Sequence, residues 1–229
     1  MKANVVLVPG AWTGAWGWAP LEKHLESSNH KTYSLTLSGL DNDADASEVD
    51  LERHVADVVA FLESNNLSNV VLVGHSYSGI VVGLVAQRLP ERIKHLVFVE
   101  AFIPIAGKSL LESAELDVEE ETNATENNGG RWPAPTRAEL EGQPFLKEED
   151  KGWLSKNLVG HPGKTVTDKV PTNLAPNEID ATFIGKELPH LRGEHFNNMG
   201  FIRLEGGHWP MVTAPEALAK SINEIASRT

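Results

Sequence analysis

Short runs of β-branched and aliphatic residues alternate with segments of helical periodicity in the first hundred and the last fifty residues of the chain. This alternation is typical of parallel strands joined by helical crossovers. The predicted strands cover residues 5–8, 31–37, 69–73, 95–99, 181–184 and 201–204. We therefore predict an α/β fold with a mostly parallel sheet flanked by helices.

Two segments carry a clear helical pattern. A helix predicted to begin near Ser47 repeats its apolar residues at helical spacing between residues 51 and 62, which indicates one face packed on the sheet. The last helix is predicted to begin at Thr213, whose side chain can form a capping box with Glu216. Leu218 and Ile222 lie on its predicted buried face.

The middle of the chain has a different composition. Residues 112–150 contain 12 acidic against 3 basic residues, and so supply −9 of the formal net charge of −12. Trp132 and Trp153, with Phe145 and Leu146, give this region enough apolar surface to dock on another part of the molecule or on a partner. Two interpretations stay open, a solvated acidic loop and a lid over a binding site, and long loops in compact domains favour the lid. The predicted divisions are an N-terminal core over 1–103, a lid insertion over 104–172 and a C-terminal core over 173–229.

Composition and charge narrow the classes of function. The chain of 229 residues has no cysteine, which excludes disulfides, a thiolate nucleophile and a cysteine-bound metal. The negative net charge disfavours binding to nucleic acid and to anionic membranes. No signal-peptide pattern opens the sequence and no apolar run approaches 18 residues, so we expect a soluble, cytoplasmic protein without a membrane partner.

The strongest motif is a serine between a predicted strand and a predicted helix. Residues 74–79 read Gly-His-Ser-Tyr-Ser-Gly, and helical periodicity follows directly. A sharp strand-to-helix turn at Ser76 requires small residues two positions before and after it, and Gly74 and Ser78 meet that requirement. A serine hydroxyl attacks a substrate only when a base removes its proton, so this motif predicts a nucleophile with a histidine partner.

His208 is the best candidate for that base. It follows the strand predicted over 201–204 and precedes the last helix, which places it on a loop at the carboxyl edge of the sheet. Ser76 lies at the same edge, where parallel sheets collect their functional groups.

An oxyanion hole is the third requirement, because negative charge develops on the substrate oxygen during acyl transfer. The first strand ends in a glycine turn at Gly10, which predicts the backbone amide of Ala11 as one donor. The amide of Tyr77 is the second. A dinucleotide loop is disfavoured because the glycine spacing does not fit and Trp12 would obstruct a pyrophosphate.

These motifs resemble those of the α/β-hydrolases, in the small branch that contains bacterial esterases, plant methylesterases and hydroxynitrile lyases. The resemblance covers nearly the whole chain and is carried by residues 8–12, 74–79, 99–104 and 206–211. Two positions depart from the family pattern, with Pro9 where members usually have histidine and Ser78 where they usually have glycine. Both shape turns and neither takes part in the reaction.

The resemblance also implies a carboxylate that orients the histidine. In the family this acid follows the strand before the histidine strand, and Glu187 is the nearest carboxylate in that loop. Glu100, after the strand that follows the serine turn, is the alternative, and Asp180 or no acid at all stays open.

Together these residues predict a serine hydrolase of a small, neutral or apolar carboxylic ester, with Trp12 and Trp209 in the substrate pocket and no cofactor. Elimination of cyanide is disfavoured because Trp209 stands where the lyases have lysine. His190, Glu194 and His195 do not match a known zinc pattern, so we expect no metal. A thioesterase, a lyase and a non-catalytic binding protein on the same fold remain alternatives, and a homodimer is left open.

Overall fold

The computed structural model describes residues 3–25, 30–41, 45–174, 179–188 and 199–228. Its main sheet has six parallel strands in the order β2-β1-β3-β4-β7-β8. Each strand corresponds to one predicted from the sequence, so the predicted α/β fold is confirmed. The strands are β1 Asn4–Val8, β2 Lys31–Ser34, β3 Val70–His75, β4 Ile93–Val99, β7 Ala181–Gly185 and β8 Gly200–Arg203, and β5 Arg131–Trp132 and β6 His161–Pro162 form a separate antiparallel pair.

The helices fall into two groups, those of the sheet domain and those between β4 and β7. None of the helices in the described ranges is long and apolar enough to cross a bilayer. The first group consists of α1 Ala19–Leu25, α2 Leu51–Ser64, α3 Ser78–Arg88, α9 Pro210–Thr213 and α10 Pro215–Arg228. The second group consists of α4 Leu110–Ser113, α5 Val118–Asn127, α6 Arg137–Glu141, α7 Glu148–Asn157 and α8 Gly163–Thr167.

The sheet is buried on both faces because alternate residues of each strand point to opposite sides. In β1, Val6 and Val8 pack with α2 and α3, whereas Val5 and Leu7 pack with α1 and α10. All four side chains are fully buried. The central strands therefore read as continuous aliphatic runs, and their carboxyl ends are held rigidly at one edge.

Two predicted helix starts differ from the structure. The first long helix begins at Leu51, because Asp50 accepts a hydrogen bond from the Arg53 amide and caps it there. The capping role predicted for Thr213 is wrong. Its hydroxyl donates instead to the carbonyl of Gly206, at 2.6 Å, and so closes the loop that carries His208.

The acidic middle segment folds into short helices that pack beside the sheet domain. Leu110, Trp132 and Val166 join the core that α2 and α3 form on one face of the sheet. Leu140 and Leu154 join the core on the opposite face. The segment is therefore a folded part of the molecule and not a solvated loop.

Candidate active site

The turn at Ser76 has the strained geometry that the sequence predicts. Ser76 has a φ of +50°, a left-handed conformation that costs a non-glycine residue about 1–2 kcal/mol. Its backbone is held on two sides, since its amide donates to the Val99 carbonyl and its carbonyl accepts from the Phe102 amide. A β-carbon at Gly79 would lie 2.2 Å from the Phe102 carbonyl oxygen, so only glycine fits there.

The two departures from the family pattern meet in the structure. The Ser78 hydroxyl donates a hydrogen bond to the Pro9 carbonyl and ties the start of α3 to the end of β1. The next residue, Gly10, packs directly on the turn, because a β-carbon there would lie 3.0 Å from the Ser76 β-carbon and 2.5 Å from His75 Nδ1. The loop after β1 is thereby held against the candidate nucleophile.

The two backbone amides predicted for the oxyanion hole are both available. The Ala11 amide follows Gly10, and the Tyr77 amide follows Ser76. Within the described residues, neither amide has a hydrogen-bond acceptor, although both residues are buried. Because buried N–H groups are nearly always paired, these two unpaired amides are candidate donors to an anion next to the Ser76 turn.

The residue after Ala11 is held by the middle segment. Trp12 has a φ of +64°, its amide donates to His161 Nδ1 at 3.2 Å, and its carbonyl accepts from the Val159 amide at 3.1 Å. His161 is fully buried, and that burial lowers its pKa well below the usual value. The ring is therefore neutral, with Nδ1 as the acceptor, and it fixes the direction of the Trp12 amide.

We expect that replacing His161 by leucine lowers kcat about tenfold with little change in KM, because the partly buried Trp12 amide loses its acceptor and the turn that presents Ala11 loosens. His161→Asn is the matched control, since its Oδ1 can take the place of Nδ1. Steady-state kinetics of both variants on one ester tests this. Equal activity of the leucine and asparagine variants would contradict it.

His208 lies on the loop between β8 and α9, and its backbone is anchored beside Ser76. His75 Nε2 donates to the His208 carbonyl at 2.7 Å, and the two ring centroids are 5.0 Å apart. Desolvation of its ring lowers the pKa of His208 to about 4, so the imidazole is neutral and able to accept a proton at pH 7. No hydrogen bond joins this ring to Ser76 Oγ in the part of the chain that the structure describes.

The structure brings neither predicted carboxylate to hydrogen-bond distance of the His208 ring. Glu187 is exposed on the loop after β7. Glu100 is partly buried, accepts the Lys186 amide at 2.7 Å and faces Gly185, and burial raises its pKa. Among the described residues, no carboxylate contacts His208.

A cavity of about 620 Å³ joins the sheet domain to the middle segment. Ser76 and His208 both lie on its surface, so the structure brings the predicted nucleophile and base to one site. Trp153 lies elsewhere and packs on Trp16. The other lining residues named in the predictions are Ala11, Trp12, Trp132 and Trp209.

Three functional candidates were not found from the sequence. His75 lies beside the serine in the motif and no pattern assigns it a role, whereas in the structure it anchors the His208 loop. His161 and Glu121 lie in the middle segment, where no motif marks them, and only the tertiary contacts reveal them. The loop that contains His190, Glu194 and His195 lies outside the described residues.

The strand-turn-helix at Ser76 and the histidine loop lie within a part of the chain that matches a known family. A family model described as "Alpha/beta hydrolase family" matches residues 5–221. The chain belongs to the α/β-hydrolase family. The serine turn, the loop after β1 and the histidine loop correspond to the motifs that carried the predicted resemblance.

Several individual proteins are similar to this α/β-hydrolase. A carbendazim hydrolyzing esterase from Nocardioides sp. (strain SG-4G) is 40% identical over 111 residues, which are 48% of this chain and 46% of that protein. Methylesterase 8 from Arabidopsis thaliana is 35% identical over 107 residues, 45% of this chain and 39% of that protein. The chain thus spans less than half the length of these two curated relatives.

Solved structures match over nearly the entire length of the chain, and one of them illustrates the likeness. It is an extracellular alpha/beta-hydrolase from a Paenibacillus species, with a TM-score of 0.83 over 97% of this chain and 98% of that one. At 21% identity this likeness concerns the fold alone. The likeness therefore supports the α/β-hydrolase fold over nearly the full length of the chain.

Proposed function

We propose that this α/β-hydrolase cleaves a small carboxylic ester through an acyl-enzyme intermediate. The observation that carries the proposal is the strained Ser76 turn flanked by the unpaired amides of Ala11 and Tyr77, at the base of a cavity that also holds His208. The named esterases among its relatives support the same chemistry. The substrate is a small molecule.

In the proposed reaction, Ser76 Oγ attacks the ester carbon while the neutral His208 ring takes the hydroxyl proton. The carbonyl oxygen becomes an oxyanion and accepts hydrogen bonds from the amides of Ala11 and Tyr77. Collapse of this intermediate breaks the bond to the alkoxy oxygen, which receives the proton from His208. Water then attacks the acyl carbon with His208 again as base, which releases the acid and restores Ser76.

The acid of the predicted triad stays a prediction. The described contacts support Ser76 and His208 as a pair, whereas Glu187, or Glu100 as its alternative, is carried by the family resemblance alone. The cytoplasmic location and the homodimer also stay predictions, and one structural neighbour is described as extracellular.

A second candidate function is binding without turnover. The absence of a hydrogen bond between Ser76 Oγ and the His208 ring, within the described residues, is the observation that favours it. Catalytic hydrogen bonds often tighten only in the complex with substrate, so this geometry is also compatible with an enzyme. The two functions differ in whether Ser76 is activated.

A fluorophosphonate probe tests that difference, because it modifies only an activated serine. We expect mass spectrometry to locate the adduct on the peptide that carries Ser76, and p-nitrophenyl acetate and butyrate to be hydrolysed in parallel. Prior denaturation of the protein is the control and should prevent labelling. A native protein that neither reacts with the probe nor turns over either ester would refute the proposed hydrolase and favour the binding protein.

A further inference from the structure

The charged residues that line the catalytic cavity are all of one sign. Glu121 and Glu139 line it, and among its described lining residues there is no lysine or arginine. Hydrogen bonds from the amide and hydroxyl of Thr136 lower the pKa of Glu139, which is therefore anionic at neutral pH. A substrate group with negative charge would be repelled.

Glu121 is the more informative of the two carboxylates because it is fixed and partly buried. It lies on α5, and its Oε2 accepts a hydrogen bond from Trp132 Nε1 at 2.6 Å. No lysine or arginine of the described chain forms an ion pair with it. A partly desolvated carboxylate without a counter-charge is unfavourable unless a ligand supplies one.

The rings beside Glu121 are also suited to a cation. Trp12 and Trp132 lie with their centroids 4.3 Å apart, and both line the cavity. Trp12 directly follows Ala11, so this aromatic wall extends from the candidate oxyanion hole to Glu121. The face of an indole ring carries negative electrostatic potential and attracts ammonium and guanidinium groups.

We infer that the natural substrate is an ester with a positively charged nitrogen group, which the carboxylate of Glu121 and the Trp12–Trp132 wall bind while Ser76 attacks the acyl carbon. This inference rests on the proposed hydrolase function and names its substrate class. A quaternary ammonium or a protonated amine next to the ester fits the same contacts. A neutral hydrophobic ester of equal shape would leave Glu121 without a counter-charge.

The test compares two esters that differ in charge and hardly in shape. Acetylcholine and 3,3-dimethylbutyl acetate differ only in a quaternary nitrogen in place of a quaternary carbon. We expect kcat/KM to be at least about tenfold higher for acetylcholine. Choline and 3,3-dimethylbutanol can also be compared as competitive inhibitors of p-nitrophenyl acetate hydrolysis. We expect choline to have the lower inhibition constant.

Two variants that each remove one negative charge distinguish a direct effect of Glu121 in the cavity from an effect of the protein's net charge. Glu121→Gln keeps an acceptor for Trp132 Nε1 and should bring the ratio of the two kcat/KM values close to one. Glu126→Gln removes the same charge from an exposed position of the same helix, outside the cavity lining, and should keep the ratio of the unchanged protein.

The outcomes are distinguishable. If the unchanged protein hydrolyses 3,3-dimethylbutyl acetate as fast as acetylcholine or faster, the inference about a cationic substrate is overturned. Hydrolysis of the neutral ester would still support the proposed hydrolase function. Equal ratios in the Glu121 and Glu126 variants would overturn the role of Glu121. If no ester is hydrolysed, the proposed function fails, and calorimetry with choline against 3,3-dimethylbutanol still measures the cation site. Preference for choline there, lost in Glu121→Gln, would support the site, and equal binding would overturn it.

Discussion

Replacing Ser76 by alanine is expected to lower kcat for p-nitrophenyl butyrate by at least about 10³-fold. In the proposed reaction the Ser76 hydroxyl oxygen forms the covalent bond to the acyl group, and Thr136 carries the one other hydroxyl among the described residues that line the cavity. The backbone turn does not depend on the Ser76 side chain, because its amide and carbonyl are held by Val99 and Phe102. Kinetics with a thermal-unfolding control measures the loss in a folded protein.

The Ser76→Gly variant sharpens this result, because glycine also removes the strain of the turn. Glycine adopts a φ of +50° without strain, which raises the free energy of unfolding by about 1–2 kcal/mol relative to alanine. The greater freedom of glycine in the unfolded chain offsets about 0.5–1 kcal/mol of this gain. We therefore expect Ser76→Gly to be inactive and slightly more stable than Ser76→Ala. An alanine variant that keeps a tenth or more of the activity would show that Ser76 is not the nucleophile.

The strands and the serine turn could be predicted because their signals are local. A parallel strand buried on both faces is a short aliphatic run, as in β1, β3 and β4, which lie side by side in the middle of the sheet. The turn at Ser76 depends on small residues at neighbouring positions, and Gly74 shows why, since a β-carbon there would lie 2.6 Å from the Ser78 carbonyl oxygen. His208 and Ala11 could be placed at the carboxyl edge of the sheet because each lies on a loop that follows a predicted strand.

The remaining features depend on contacts between distant segments. Thr213 matches a capping pattern, but its hydroxyl donates a hydrogen bond to the Gly206 carbonyl, and no sequence spacing reveals this contact. His161 is 149 positions away from Trp12 along the chain. Glu121 belongs to a run of acidic residues that looks like a solvated surface, and only the cavity distinguishes it from its neighbours.

Replacing His208 by glutamine should lower kcat to the same degree as Ser76→Ala, because a serine hydroxyl is a poor nucleophile without a base. Residues that act as one unit are not additive, so the double variant Ser76→Ala with His208→Gln should be no slower than either single variant. A further large loss in the double variant would mean that the two side chains act independently. His24→Gln, far from the cavity lining, is the matched control.

The pH dependence of kcat/KM for the unchanged protein then decides whether a carboxylate assists His208. Only the neutral ring can take the proton of Ser76, so the rate is lost as pH falls through the pKa of His208. The burial of the ring places that pKa at about 4, and we expect a constant rate from pH 5 to 8 and a tenfold loss per unit below about pH 4.

A nearby carboxylate would stabilise the protonated ring and raise this inflection to pH 6.5 or above. An inflection at pH 6.5 or above would contradict the view that His208 acts without an acidic partner. It would support the predicted triad of Ser76, His208 and a carboxylate. The variants Glu187→Gln and Glu100→Gln then identify the acid, since its replacement must both lower kcat at least about tenfold and return the inflection towards pH 4. An inflection near pH 4 that neither variant moves would exclude both carboxylates and leave Ser76 and His208 to act as a pair.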